Sequence, residues 1–462
     1  MASTARAEAL SAFLLRTKLY WSLLILLAVG ILTSPVSSKG VNIFLSTGNL
    51  SDVLRQVSNN GIVAIGMTLV ILTGGIDLSV GSIMALGSVL CAMLLTEEGW
   101  TSAAILSLPI FTILCGVLVA WGVGLALRPG HVPDSGVRSW SSSGHRLMAG
   151  LAGLAAAAAS LWLTSIQVPN KFGVIGVLMI VPVVGLAFGW LNGLVITKGR
   201  LQPFIVTLAM MVGVLGIARV VAGQDAAVHP VYTGTNATED FDVLRALLYR
   251  IVPVPGLFFL TVVALSALLL RTTLFGRYVF AIGGNEQAAR LSGVAVDRVK
   301  IAVYAISGCL ASLAGVLYTA QYRQGKPDAG VGMELDAIAA VVIGGTSLMG
   351  GKGSIAGTFV GVLIFGFLSN ILQLNNIDSN TQLVLKGAII LAAVLLQERS
   401  VGDAFLGLRR FLGSSRSSAS GELPARADPS APTPAAGAAT GARFADAPER
   451  KEVALRSTQE SA

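Results

Sequence analysis

The chain has 462 residues, 54% of them hydrophobic and 12% charged, and a formal net charge of +8. A soluble domain carries about 25% charged residues, so this composition excludes a water-soluble globule of this size. The apolar residues fall in long blocks, each able to cross about 30 Å of hydrocarbon. The basic residues sit in short loops and a polar tail with no interleaved aromatics, which excludes a nucleic-acid partner and suits cationic loops that orient a chain in membrane lipid.

In chain order, Arg16 and Lys18 precede an apolar run from Leu19 to Leu32 with the outline of a signal peptide. No small-residue cleavage site follows, so it reads as a retained first span behind a cytoplasmic N-terminus, residues 1–19. The expected spans are 20–36, 61–76, 80–96, 102–126, 147–167, 172–197, 203–223, 256–271, 301–322, 335–349, 353–374 and 381–397. Of these, 61–76, 80–96 and 335–349 are short or glycine-rich and read as broken or re-entrant. The expected fold class is therefore all-α, a polytopic transmembrane helical bundle of about 10–12 spans over residues 20–400. Residues 413–462 are rich in Ser, Ala, Pro and charge, cannot bury enough apolar surface to offset ordering entropy, and read as a disordered cytoplasmic C-terminal tail.

With the N-terminus inside, the inside loops hold eleven Lys and Arg, among them Lys198, Arg200, Arg277, Arg290 and Lys300. The outside loops hold seven, among them Arg55, Arg245 and Arg323. This bias puts both termini in the cytoplasm. Cys91, Cys115 and Cys309 lie in apolar stretches and make no disulfide framework. His131, His145 and His229 are scattered without metal-ligand spacing, so no metal site is expected.

Gly74-Gly75-Ile-Asp77-Leu-Ser79-Val-Gly81-Ser82 is the most informative stretch. The two glycines suit a helix end. Asp77, an acid near a span, must be paired, cap a helix or line water. Asp77 or Ser79 can start the next span as an N-cap, or they can line a pathway. A similar pattern recurs at 341–354, where Gly344-Gly345 and a short polar segment precede Gly353-Ser354. Glycine-interrupted short spans in two halves of a chain are the sequence pointer to a transport path; convergent use of glycine at helix breaks gives the same look. Glu334 and Asp336 open the segment at 335–349, where acids complement a helix dipole or meet an arriving solute. Lys386 lies inside the last span and must snorkel or find an acid.

In the loop before span 301–322, Gly283-Gly284 precedes Asn285, which can cap a short helix carrying Glu286, Ala288 and Ala289 and ended by Gly293. Small residues on one face of such a helix suit docking into a groove; an ordinary solvated loop is the plainer reading. The stretch 345–353 imitates a phosphate loop, but a second glycine precedes Lys352 and Gly353 stands where Ser or Thr must reach magnesium. No nucleotide site, catalytic acid pair or triad is expected, and the chain reads as a non-enzyme.

At these residues the chain resembles the ribose-type branch of ABC-importer permeases. The stretches 74–82, 193–208 (GLVITKGRLQPFIVTL), 274–294 (LFGRYVFAIGGNEQAARLSGV) and 334–357 (ELDAIAAVVIGGTSLMGGKGSIAG) carry the resemblance in the family's order, over roughly residues 20–400. The resemblance implies a subunit of a monosaccharide importer in the bacterial cytoplasmic (inner) membrane. Its implied partners are a second permease copy, an extracytoplasmic sugar-binding protein and a separate cytoplasmic ATPase that holds the ATP and magnesium. It also implies that 281–294 docks on that ATPase through Glu286, Ala288, Ala289 and Gly293. Two departures stand out: an expected two-span insertion at about 100–170 around a polar loop at 127–145, and the long tail. The competing classes are an ion-gradient-driven secondary transporter, with Asp77, Glu334 and Lys386 as proton or sodium sites, and a non-transporting receptor or scaffold.

Overall fold

The computed structural model describes residues 19–97, 101–126, 142–167, 171–223, 227–249 and 251–398. The expected tail, the first eighteen residues and most of the polar loop at 127–145 lie outside the described residues.

Every expected span is met by a helix. These are α1 (Leu19–Thr33), α2 (Thr47–Leu72), α3 (Val80–Thr96), α4 (Ser102–Ala126), α5 (Ser142–Gln167), α6 (Val174–Gly199), α7 (Pro203–Ala222) and α8 (Val254–Thr272), then, after two short helices, α11 (Val296–Tyr322), α12 (Met333–Ile343), α13 (Ile355–Leu374) and α14 (Ser379–Glu398). The short helices are α9 (Leu274–Gly284) and α10 (Glu286–Leu291). Among the described residues, six helices are long and apolar enough to cross a membrane: α4 (through Ser102–Ala120), α6, α7, α8, α11 and α13. The only strands in the described residues are two-residue pairs. β1 (His229–Pro230) lies antiparallel to β4 (Gln324–Gly325), and β2 (Leu247–Leu248) to β3 (Val252–Pro253). The bundle is therefore all-α, as the long uninterrupted apolar runs predict, and each helix satisfies its own backbone hydrogen bonds in lipid.

Two of the expected spans differ from their helices. The span at 61–76 begins at Thr47 and has 26 residues. Its first half is polar in sequence yet helical, because Ser46 caps it by accepting from Asn49 N, and its polar side chains find distant partners: Ser51 Oγ donates to Ile251 O (2.7 Å) and Asn59 to Gln321 (3.0 Å). The span at 335–349 stops at Ile343 and has 11 residues, about 16 Å of helix and half of a hydrocarbon core.

Small residues set the packing. The most extensive helix contact joins α6 to α11. On α6, Gly185, Gly189 and Gly193 form a stripe at four-residue spacing, and a Cβ at any of them would collide with α11 at Gly308, Tyr304 or Ile301. Packing in lipid has little hydrophobic drive and depends on such close backbone approach. α4 and α5 pair in the same way, since a Cβ at Gly116 would lie 2.9 Å from Gly153 O. At the centre, the second half of α2 and nearly all of α3 are buried. One end of the bundle carries α9 and α10; the other carries the two β pairs.

Candidate functional site

The first helix break lies at 73–79. α2 ends at Leu72, and Gly74 turns the chain with φ +76°, a left-handed geometry that suits glycine. Asp77 is wholly buried. Its Oδ1 accepts from Ser79 N (3.0 Å) and Ser79 Oγ (2.6 Å), and its Oδ2 accepts from Ser307 Oγ on α11 (3.0 Å). Asn192 of α6 donates to Ser79 Oγ (2.8 Å), and Thr207 of α7 donates to Ile76 O (3.2 Å). Ser307 is eleven positions into α11, about 16 Å from its start, so the carboxylate is deep in the bundle. Ser79 stands at the N-cap position of α3 with helical backbone angles and makes no side-chain cap bond. The capping expectation is thus corrected for Ser79, whose hydroxyl instead bridges Asp77 and Asn192. Gly75 lies under Tyr304: a Cβ there would overlap the Tyr304 hydroxyl, which has no hydrogen-bond partner among the described residues.

The second break, at 344–354, is built from backbone. Gly345, Gly350 and Gly351 all have positive φ (+85°, +84° and +70°). Gly344 packs on α13, where a Cβ would sit 2.5 Å from Gly357 O. Ser354 caps α13 by accepting from Gly357 N (3.0 Å).

These two breaks meet each other and α9 at a single junction. Gly351 N donates to Leu72 O (3.0 Å). A Cβ on Gly350 would lie 2.8 Å from Gly74 N and 3.1 Å from Gly283 Cα; one on Gly351 would lie 2.8 Å from Gly284 N; one on Gly283 would overlap Leu72 O and Gly351 N. Gly74, Gly283 and Gly350–Gly351 come from three separate motifs, and only hydrogen side chains allow the backbones this approach.

Past the junction, Thr273 caps α9 by accepting from Gly276 N, and Asn285 caps α10 by accepting from Ala288 N (2.9 Å). Gly293, with φ +83°, follows α10. Glu286 bonds Lys300 (2.6 Å) and Arg290 (3.3 Å); Arg290 also reaches Asp297 (3.0 Å), and Lys198 lies 3.5 Å from Asp297. Burial raises the Glu286 carboxyl, but Lys300 and Arg290 outweigh it and hold the group below its usual range. Of the four residues expected to dock, Ala288 and Gly293 are exposed, Ala289 is buried and Glu286 is tied to α11. Leu291 is 90% exposed on the same helix, a large apolar side chain that the sequence reading passed over.

Towards the other end, Asp336 accepts from Lys386 Nζ (2.9 Å), which also lies 5.0 Å from the centre of the Phe365 ring. This supplies the partner that sequence could not choose. Glu334 approaches Gly81, where a Cβ would overlap its Oε2, and both line a small cavity of about 150 Å³ with Ser82, Met211 and Val212. Asn192, Ser307 and Tyr304 were missed by sequence reasoning; the available signal was a polar group within each apolar helix. Among the described residues, no three His, Cys, Asp or Glu side chains come together.

A family model described as the permease component of the branched-chain amino acid transport system matches residues 49–129 and 143–394. The ribose import permease protein RbsC of Haemophilus influenzae is 34% identical over 399 residues, 86% of this chain and 96% of that protein. RbsC of Escherichia coli K12 is 37% identical over 393 residues (84% and 95%), and its xylose transport system permease protein XylH is 34% identical over 359 (76% and 85%). No solved structure matches. The four motifs, the glycine-built bundle and this coverage agree: the chain is a multi-pass membrane protein that belongs to this family of transport permease components.

Proposed function

We propose that the chain is the membrane-spanning permease subunit of an ATP-driven importer for a monosaccharide, in the bacterial inner membrane with both termini cytoplasmic. Two copies form the pathway. A separate ATPase subunit binds ATP and magnesium and docks on α9–α10, and an extracytoplasmic binding protein delivers sugar at the end that carries the β pairs. The observation that supports this most is the glycine junction, which puts α9 in backbone contact with both helix breaks. A push on α9–α10 then reaches both breaks without a flexible side chain between. ATP binding in the partner moves α9–α10 and opens the path outward; hydrolysis resets it. The permease contributes a difference in free energy between two states, and no bond chemistry.

Reconstitution with the ATPase and sugar-loaded binding protein tests this. Leu291→Glu, and Ala288→Glu beside it, should remove most of the stimulated ATPase rate while the permease still assembles. Undiminished stimulation would overturn the docking assignment. Uptake that survives loss of the ATPase but collapses with a protonophore would overturn the importer reading, and a thermal-shift screen of the cognate binding protein against a sugar panel identifies the substrate.

A further inference from the structure

A cavity of about 560 Å³ opens between the α6–α7 turn and the start of α10 and α11. It joins two motifs that the coupling assignment uses only in part, 193–208 and 274–294. Its charged lining is Arg200, Glu286, Arg290, Asp297 and Lys300. Three cations thus face two carboxylates, and Lys198, paired to Asp297 at 3.5 Å, adds a fourth cation beside them. The carboxylates are already consumed: Glu286 by Lys300 and Arg290, Asp297 by Arg290 and Lys198. Arg200 has no ion-pair partner among the described residues, and it is held in place by its backbone. It ends α6 with φ +53°, its N–H donating to Ile196 O.

We propose that this cavity is a binding site for a phosphate group, gripped by the Arg200 guanidinium with Lys300 and Arg290 opposite. The size is that of a small-ligand site. A planar guanidinium with free N–H groups matches two phosphate oxygens at once. A neutral ligand would leave the excess positive charge unanswered, and a cation would meet carboxylates that are already paired. The phosphate has two possible sources with the same chemistry, the headgroup of an anionic lipid and a free phosphate or phosphorylated metabolite. Because the walls come from the α6–α7 turn, α10 and α11, an occupant ties the docking helix to the bundle. Occupancy therefore sets how firmly α10 is held when a partner engages it, a consequence that rests on the function proposed above.

The binding itself needs neither ATPase nor sugar, so its test stands apart from that function. The full chain in nanodiscs of neutral phosphatidylcholine is heated with increasing inorganic phosphate against sodium chloride of equal ionic strength, and separately in nanodiscs containing phosphatidylglycerol. The thermal midpoint should rise with at least one probe. A rise with phosphate alone assigns a soluble ligand, and a rise with the lipid alone assigns a headgroup; either supports the site. Arg200→Gln, which leaves every ion pair intact, should need roughly tenfold more of the active probe, and Arg277→Gln, an exposed control on α9, should behave as the parent. No rise with either probe, an unchanged response in Arg200→Gln, or an equal loss in Arg277→Gln would overturn the proposal.

Discussion

The breaks at 73–79 and 344–354 share a sequence pattern, paired glycines and then a polar segment leading into a helix, but different physical means hold them. The first is pinned by side chains: Asp77 gathers Ser79 and Ser307, and through Ser79 reaches Asn192, so that α3, α6 and α11 converge on one carboxylate. The second has no carboxylate. It depends on three left-handed glycines, on Gly344 against Gly357 and on an ordinary serine cap. A pattern repeated in sequence thus need not repeat a mechanism. A break pinned by buried polar bonds is sensitive to the loss of those side chains, whereas one made of close backbone contact is sensitive to any added Cβ.

The largest expected effect comes from removing the pin. Asp77→Ala strands the N–H and hydroxyl of Ser79 and the hydroxyl of Ser307 at a buried site. A buried unsatisfied donor costs about 1–3 kcal/mol, so the variant should lose about 3 kcal/mol or more, read as a lower midpoint in detergent unfolding. Asp77→Asn keeps one acceptor oxygen and should lose less. Equal stability of Asp77→Ala and parent would show that the carboxylate does not hold the break. Next comes the junction. Gly283→Ala drives a Cβ into Leu72 O and Gly351 N, whereas Gly284→Ala meets nothing within 4 Å. Overpacking of this kind costs about 1–3 kcal/mol, and the adjacent control should cost far less. If Gly283→Ala also lowers transport per assembled complex while Gly284→Ala does not, the junction carries motion; equal behaviour of the two would remove it from the path.

Most of the fold was legible because hydrophobic length dictates it: each apolar run became a helix, and glycines marked where helices stop. The start of α2 was not, since residues 47–60 are too polar to read as a span and are helical only because Ser51 and Asn59 find partners about two hundred or more positions away. The same distance hid the site. Asp77 was singled out, but its pairing with Ser307 spans 230 positions and that of Ser79 with Asn192 spans 113, and no local pattern encodes such a meeting. The family motifs announced their importance without announcing that three of them touch. The exposure of Leu291 was not legible, because which side of a six-residue helix faces out depends on the ion pairs that anchor the other side.

α12, which leads into the second break, carries one ion pair among the described residues, Asp336 with Lys386, with both side chains 21% exposed. Lys386→Met leaves Asp336 half-buried without its cation. Removing one partner of a fully buried pair costs about 3–5 kcal/mol, and partial solvent access reduces this to roughly 1–2. The double variant Lys386→Met, Asp336→Leu should regain most of the loss, since a replaced pair costs less than a broken one. No recovery would mean that Lys386 acts through Phe365 rather than through Asp336.

The smallest expected effect tests the comparison at two serines. Ser354→Ala removes an N-cap bond from α13 and should cost about 1 kcal/mol, as exposed and buried caps elsewhere do. Ser79→Ala occupies the matching position at the first break, yet Ser79 caps nothing; it removes the link between Asp77 and Asn192 and leaves a buried amide without its acceptor. It should therefore cost more than Ser354→Ala, and its loss should be non-additive with Asp77→Ala, because both variants dismantle one network. Additive losses, or a Ser79→Ala effect no larger than that of Ser354→Ala, would make both serines plain helix starts and the two breaks alike after all.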